Sequence, residues 1–91
     1  MHMLAIGTLT TQDFQQYLPE EGEVTARWFQ EGALKGLYVK ADHSGPILVL
    51  SDTDTAGAQK RMADLPFVAH GVATFEYIEI LDLPDVPAVS N

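Results

Sequence analysis

The residues of this chain that could move or hold a proton are His70, His43, Lys40 and Glu76. His70 lies in LPFVAHGVATFEYIEI, residues 65–80, amid apolar chain. An imidazole in an apolar wall could take or give a proton near working pH, because histidine titrates close to neutrality. The same residue could instead be a packed core histidine held by one hydrogen bond. His43 follows Asp42 in ADHSG. It would polarise a ligand oxygen if that turn folds over a pocket mouth, and is otherwise an exposed turn residue. Lys40 could hold an anionic or carbonyl oxygen, or could be an edge-strand lysine that discourages aggregation. Glu76, an acid within TFEYIEI, is either a base poised by burial or a solvated residue near a strand edge. Trp28, Tyr38, Phe67 and Tyr77 could stack on a flat substrate, the hydroxyls orienting it, or could be core and interface contacts.

Several other chemistries fail on spacing. There is no cysteine, so disulfides and thiolate metal sites are excluded. SDTDTAG opens like a calcium loop, but the twelfth position from Asp52 is Ala63 where that loop needs a glutamate. His2, His43 and His70 form no HxxxH or HExxH. GTLTT has one glycine and no lysine, so it is not a phosphate cradle, and no GxSxG elbow occurs. The expectation is a site with no metal and no cofactor.

Those residues need a scaffold, and the chain is short. Ninety-one residues make one domain, expected over residues 1–83 with a C-terminal tail at 84–91. A domain of this size buries only about 60 % of the surface its unfolded chain exposes, and without staples it gains core by associating. Apolar residues make up 46 %, too many for a disordered chain. Thirteen acidic residues against five basic ones give a formal charge of −8, which opposes nucleic acid and anionic membranes. No apolar run is long enough to span a bilayer. MHMLAIGTLT has no basic leader region and reads as a strand, so a cytoplasmic location is expected.

Periodicity and turn chemistry divide the chain. Met1 to Leu9 reads as a strand. Thr11 can cap a short helical turn, TQDFQQYL. Pro19 suits the start of a helix whose first turn carries Glu20, Glu21 and Glu23, where the dipole favours acids, and Gly32 stops it beyond Glu31. Leu34 to Lys40 and Pro46 to Ser51 read as a hairpin around ADHSG. A second helix begins at Asp52 or Thr53, presents Ala58, Met62 and Leu65 to the core, and is stopped by Pro66. Phe67 to Gly71 is a connector, and Val72 to Leu81 is the last strand.

The order is β-α-β-β-α-β, which predicts an α+β, ferredoxin-like fold: a four-stranded antiparallel sheet with two helices on one face. Two helices cover one face, and the other should then alternate to polar residues. It does not. The first strand offers Met3, Ala5 and Leu9 to one side and Leu4 and Ile6 to the other; the third offers Ile47 and Val49 against Leu48 and Leu50. A second apolar face needs a cover, most simply an identical chain under two-fold symmetry, so a homodimer is expected. Small residues at Ala5 and Gly7 either leave volume for a ligand or admit close packing.

With LKGLYVKADHSGPILVLSD, a following helix and then LPFVAHGVATFEYIEI, the chain resembles the dimeric α/β-barrel superfamily, in its muconolactone-isomerase-like branch, over about residues 18–83. In length and in the wording of its second and fourth strands it is similar to the small accessory proteins of prodiginine-type pyrrole-pigment pathways. The resemblance implies a homodimeric barrel with a pocket between sheet and helices in each subunit. It also implies cofactor-free acid/base chemistry, an isomerisation, cyclisation or dehydrative condensation of a cyclic or aromatic intermediate in secondary metabolism. His70 would then act as the acid/base, lining the inner end of the cavity. His43 or Lys40 would polarise an oxygen, and the aromatic set with Glu76 would bind the substrate. Alternatives on the same fold are a non-catalytic carrier of an unstable intermediate, a cofactor-free monooxygenase, or a purely structural or regulatory dimer.

Overall fold

Strand β1, His2–Leu9, is apolar on both sides and takes a central place in the sheet. In the computed structural model, which describes residues 1–83, it pairs antiparallel with β3, Pro46–Leu50, on one edge and with β4, Ala73–Ile80, on the other. Strand β2, Leu34–Val39, completes the order β2-β3-β1-β4, the ferredoxin-like α+β arrangement. The tail expected at 84–91 lies outside the described residues.

Register assigns the faces. Met3 opposes Leu50, Ala5 opposes Leu48 and Tyr77, and Gly7 opposes Phe75. Strand side chains alternate, so this set faces the helices, and Met3, Ala5, Leu48 and Leu50 are fully buried there. Helix α1, Leu18–Gln30, starts with Pro19 in its first turn and buries a stripe of Glu21, Thr25 and Trp28 at helical spacing. Beyond its end the chain turns at Gly32, whose φ of 77° is costly for any residue with a side chain.

Helix α2, Thr55–Met62, begins later than the spacing predicts. Asp52 occupies a left-handed turn, φ 49°, and Asp54 is the cap: its carboxylate accepts the Gly57 N–H at 2.8 Å. Pro66 opens an element instead of closing one. Leu65, before it, is extended at ψ 133°, as a residue preceding proline prefers. A one-turn helix α3, Pro66–Ala69, then occupies the stretch expected to be a plain connector. Ala58, Met62 and Leu65 are fully buried, as their spacing predicts.

The face away from the helices carries Leu4, Ile6, Ile47, Val49, Ile78 and Ile80. Leu4 is flanked by Val49 and Ile78, so an apolar row crosses three strands. Ile78 is 48 % exposed in the single chain. No described helix is long and apolar enough to cross a membrane.

Candidate active site

A cleft of about 500 Å3 opens between the first half of α1 and the β2–β3 hairpin. Leu37 and Val39 reach it from the helix-facing side of β2, opposite Leu48 and Pro46, and Leu9, Phe14 and Phe67 close its inner end. Its size suits a small ligand, and its walls are mostly apolar.

Glu21 is the exception. It shares the buried stripe of α1 with Thr25 and Trp28, and it is only 9 % exposed. Its Oε1 accepts the Phe67 N–H at 3.0 Å. That N–H belongs to the first turn of α3, where no earlier helical carbonyl can accept it, so a side chain from α1 takes the capping role. Burial pushes the Glu21 carboxyl above the ordinary glutamate range, and the Phe67 bond, the smaller influence, pulls the other way. Thr25 does not share in this bonding, because its hydroxyl donates to the backbone oxygens of Glu21 and Gly22 at 3.0 and 3.2 Å. A carboxyl held by one donor in an apolar wall can exchange a proton with a ligand.

Of the residues singled out by sequence, the cleft gathers three. Phe67 lines it, 5 % exposed, and meets the edge of Phe14 at 6.2 Å. His43 stands at the mouth, at the left-handed position of the hairpin turn with φ 62°. Tyr38 borders the rim, but its ring lies along the outer side of β2 over Gly36, where an added Cβ would meet Tyr38 Cε2 at 2.7 Å.

The others lie elsewhere. His70 does not border the cleft: it follows the end of α3, exposed, and stacks on Tyr17 with ring centroids 4.4 Å apart. The apolar residues around it in sequence belong to α3, β4 and the link between them, and Phe67, Val72 and Ala73 take the inward positions. Lys40 Nζ reaches Thr8 Oγ1 at 3.4 Å, on the outer side of β1. Glu76 is exposed on that same side, opposite Ile6. Trp28 is core, 2 % exposed, with the Arg61 guanidinium 5.4 Å over its ring. Tyr77 packs beside that core, and burial raises its phenol pKa. Nor does Gly7 leave space for a ligand; a Cβ there would meet Phe75 Cε1 at 2.7 Å and Pro46 O at 2.9 Å.

Glu21 is the residue sequence reasoning passed over. An acid in the first turn of a helix has a ready explanation in the dipole. The distinguishing signal is its register, four and seven residues before Thr25 and Trp28, which puts it on the apolar stripe where Glu20 and Glu23 are exposed.

A second buried polar residue, His2, is tied into structure. Its Nδ1 accepts the Asp52 N–H at 3.0 Å, and its Nε2 lies 2.9 Å from Asp82 Oδ2 and 3.2 Å from Lys35 Nζ. The bond with His2 holds the Asp82 carboxyl below its usual range. Among the described residues no three His, Cys, Asp or Glu side chains cluster as metal ligands would.

Compared with known proteins, the chain matches no family model and no curated protein. The fold is thus defined by its own geometry: a ferredoxin-like domain with one buried carboxyl in an apolar cleft.

Proposed function

We propose that the protein is a cofactor-free enzyme that moves a proton on a small cyclic or aromatic biosynthetic intermediate. Glu21, in place of His70, is the acid/base. The observation that carries this reading is the Glu21 carboxyl, buried and held by the Phe67 N–H in the wall of the cleft. In the simplest reaction, an isomerisation, the carboxylate takes a proton from one ring position and returns it to another as the ring double bond shifts. No atom is gained or lost and no second reactant is needed. A cyclisation or dehydrative condensation would use the same group in the same two protonation states.

The active unit in this proposal is a homodimer joined through the outer face of the sheet, where Leu4, Val49 and Ile78 form their row. The cleft lies on the opposite side, so dimerisation leaves it open.

Solvent-deuterium incorporation into a panel of cyclic enones, lactones and lactams, followed by NMR, tests the chemistry. Wild type should label at least one compound. Glu21→Gln should lose nearly all of that labelling while still binding, and His70→Gln should match wild type. Binding without labelling across the panel would favour a non-catalytic carrier. Labelling that survives Glu21→Gln would overturn the assignment.

A further inference from the structure

A carboxylate in an apolar wall leaves hydrogen-bonding capacity that something must fill. Glu21 Oε1 is filled by Phe67 N–H. Oε2 has no hydrogen-bond partner among the described residues, and it is not sealed from the surface as the Ser51 hydroxyl is. No other hydrogen bond to it is made within the cleft. Thr25 spends its proton on its own helix, and no lysine or arginine lines the walls. The other titratable residues lining the cleft are His43 at its mouth and Tyr38 at its rim, both on the hairpin; α3 presents Phe67, while Tyr17 and His70 stack on each other outside.

Water entering the open cleft can serve Oε2, so a ligand that displaces it must bring a donor of its own. We propose that the cleft selects flat aromatic heterocycles carrying an N–H, which donate to Oε2 of Glu21 while the ring lies against Phe14, Leu37 and Phe67. Ligands bearing a carboxylate or phosphate are rejected, since they would face Glu21 with no cation to offset them. The Phe67 N–H also fixes which oxygen faces the ligand. When Glu21 is protonated, Oε1 stays the acceptor for Phe67 and Oε2 becomes an O–H donor, so the cleft's preference turns from donors to acceptors. In Glu21→Gln the amide oxygen takes the Phe67 N–H, and the NH2 makes the same reversal permanent.

This inference rests on the cleft being the ligand site, though not on catalysis there. Indole and benzofuran have nearly the same shape and differ in the ring N–H, so their affinities, read by NMR shift titration at neutral pH, test it. Wild type should bind indole about ten-fold more tightly or better, the worth of a hydrogen bond to a charged group. Glu21→Gln should bind benzofuran at least as well as indole. As a check that needs no change at Glu21, a His43→Gln protein should lose its indole preference on acidification. Equal affinities in wild type, or an indole preference that persists in Glu21→Gln, would overturn the selectivity and leave the cleft standing as a site. Failure of both bicycles to shift any cleft resonance would overturn both.

Discussion

At the scale of single residues, Glu21 carries the largest consequence. Its carboxyl pKa is raised in the folded protein, chiefly by burial. The folded state therefore holds that proton more tightly than the unfolded chain does. The stabilisation this provides is fully present below the unfolded value, 4.5, and is lost as pH rises through the folded value. Above that window wild type bears a charge that an amide avoids. Glu21→Gln should gain in melting temperature over wild type as pH rises through the folded value, and the gap should close as pH falls below the unfolded value, 4.5. Melting curves by circular dichroism from about pH 4 to 9 check it; a variant that never gains on wild type as pH rises would show that the ionised form is not penalised in the fold. Three of the sequence's candidates do meet at the cleft, because turn chemistry and aromatic content locate His43, Tyr38 and Phe67 in elements that happen to surround it. His70 misled because apolar neighbours in a strand and a short helix say nothing about where the residue between them faces. Glu21 was hidden because one sequence position satisfies two rules, first-turn acid and buried stripe, and only packing shows that the second applies.

Among elements, the close approach of β1 to the hairpin decides the cleft's outer wall. Gly7 has no room for a methyl group against Phe75 and the Pro46 carbonyl, and a Cβ on Gly45 would collide with the Gly7 backbone. Gly7→Ala should destabilise the protein by about 1–3 kcal/mol, the usual cost of overpacking. Urea unfolding measures this, and a neutral effect would mean that the hairpin can lift without penalty. The strands, their order and the stripe of α1 could be read from alternation and helical spacing, since those periods are consequences of backbone geometry alone. Two boundaries could not. The start of α2 depends on which acid caps it, and SDTDT offers two aspartates; Asp52 is spent on a left-handed turn, leaving Asp54. The turn of α3 depends on Glu21 meeting the Phe67 N–H from another helix, a contact with no local signature.

For the whole molecule, the question is what covers the second face of the sheet. Helices α1 and α2 contribute to a single core with Met3, Ala5, Leu48 and Leu50, which leaves Leu4, Ile6, Val49 and Ile78 on the other side. Sedimentation at micromolar concentration should show a dimer, and Ile78→Lys should give a folded single subunit, because Ile78 is already 48 % exposed and its loss costs the core little. A wild-type chain that sediments as one subunit would overturn the dimer, and a variant that still pairs would place the interface elsewhere.

β1 is the strand on which both sides depend. Ala5 and Gly7 look toward the helices, while Leu4 and Ile6 between them look away. Of its odd-numbered positions Leu9 reaches the cleft, while the even-numbered Leu4 and Ile6 lie on the proposed pairing face, so substitution on one side leaves the other unaltered. If both proposals hold, ligand choice and self-assembly can drift independently along this one strand.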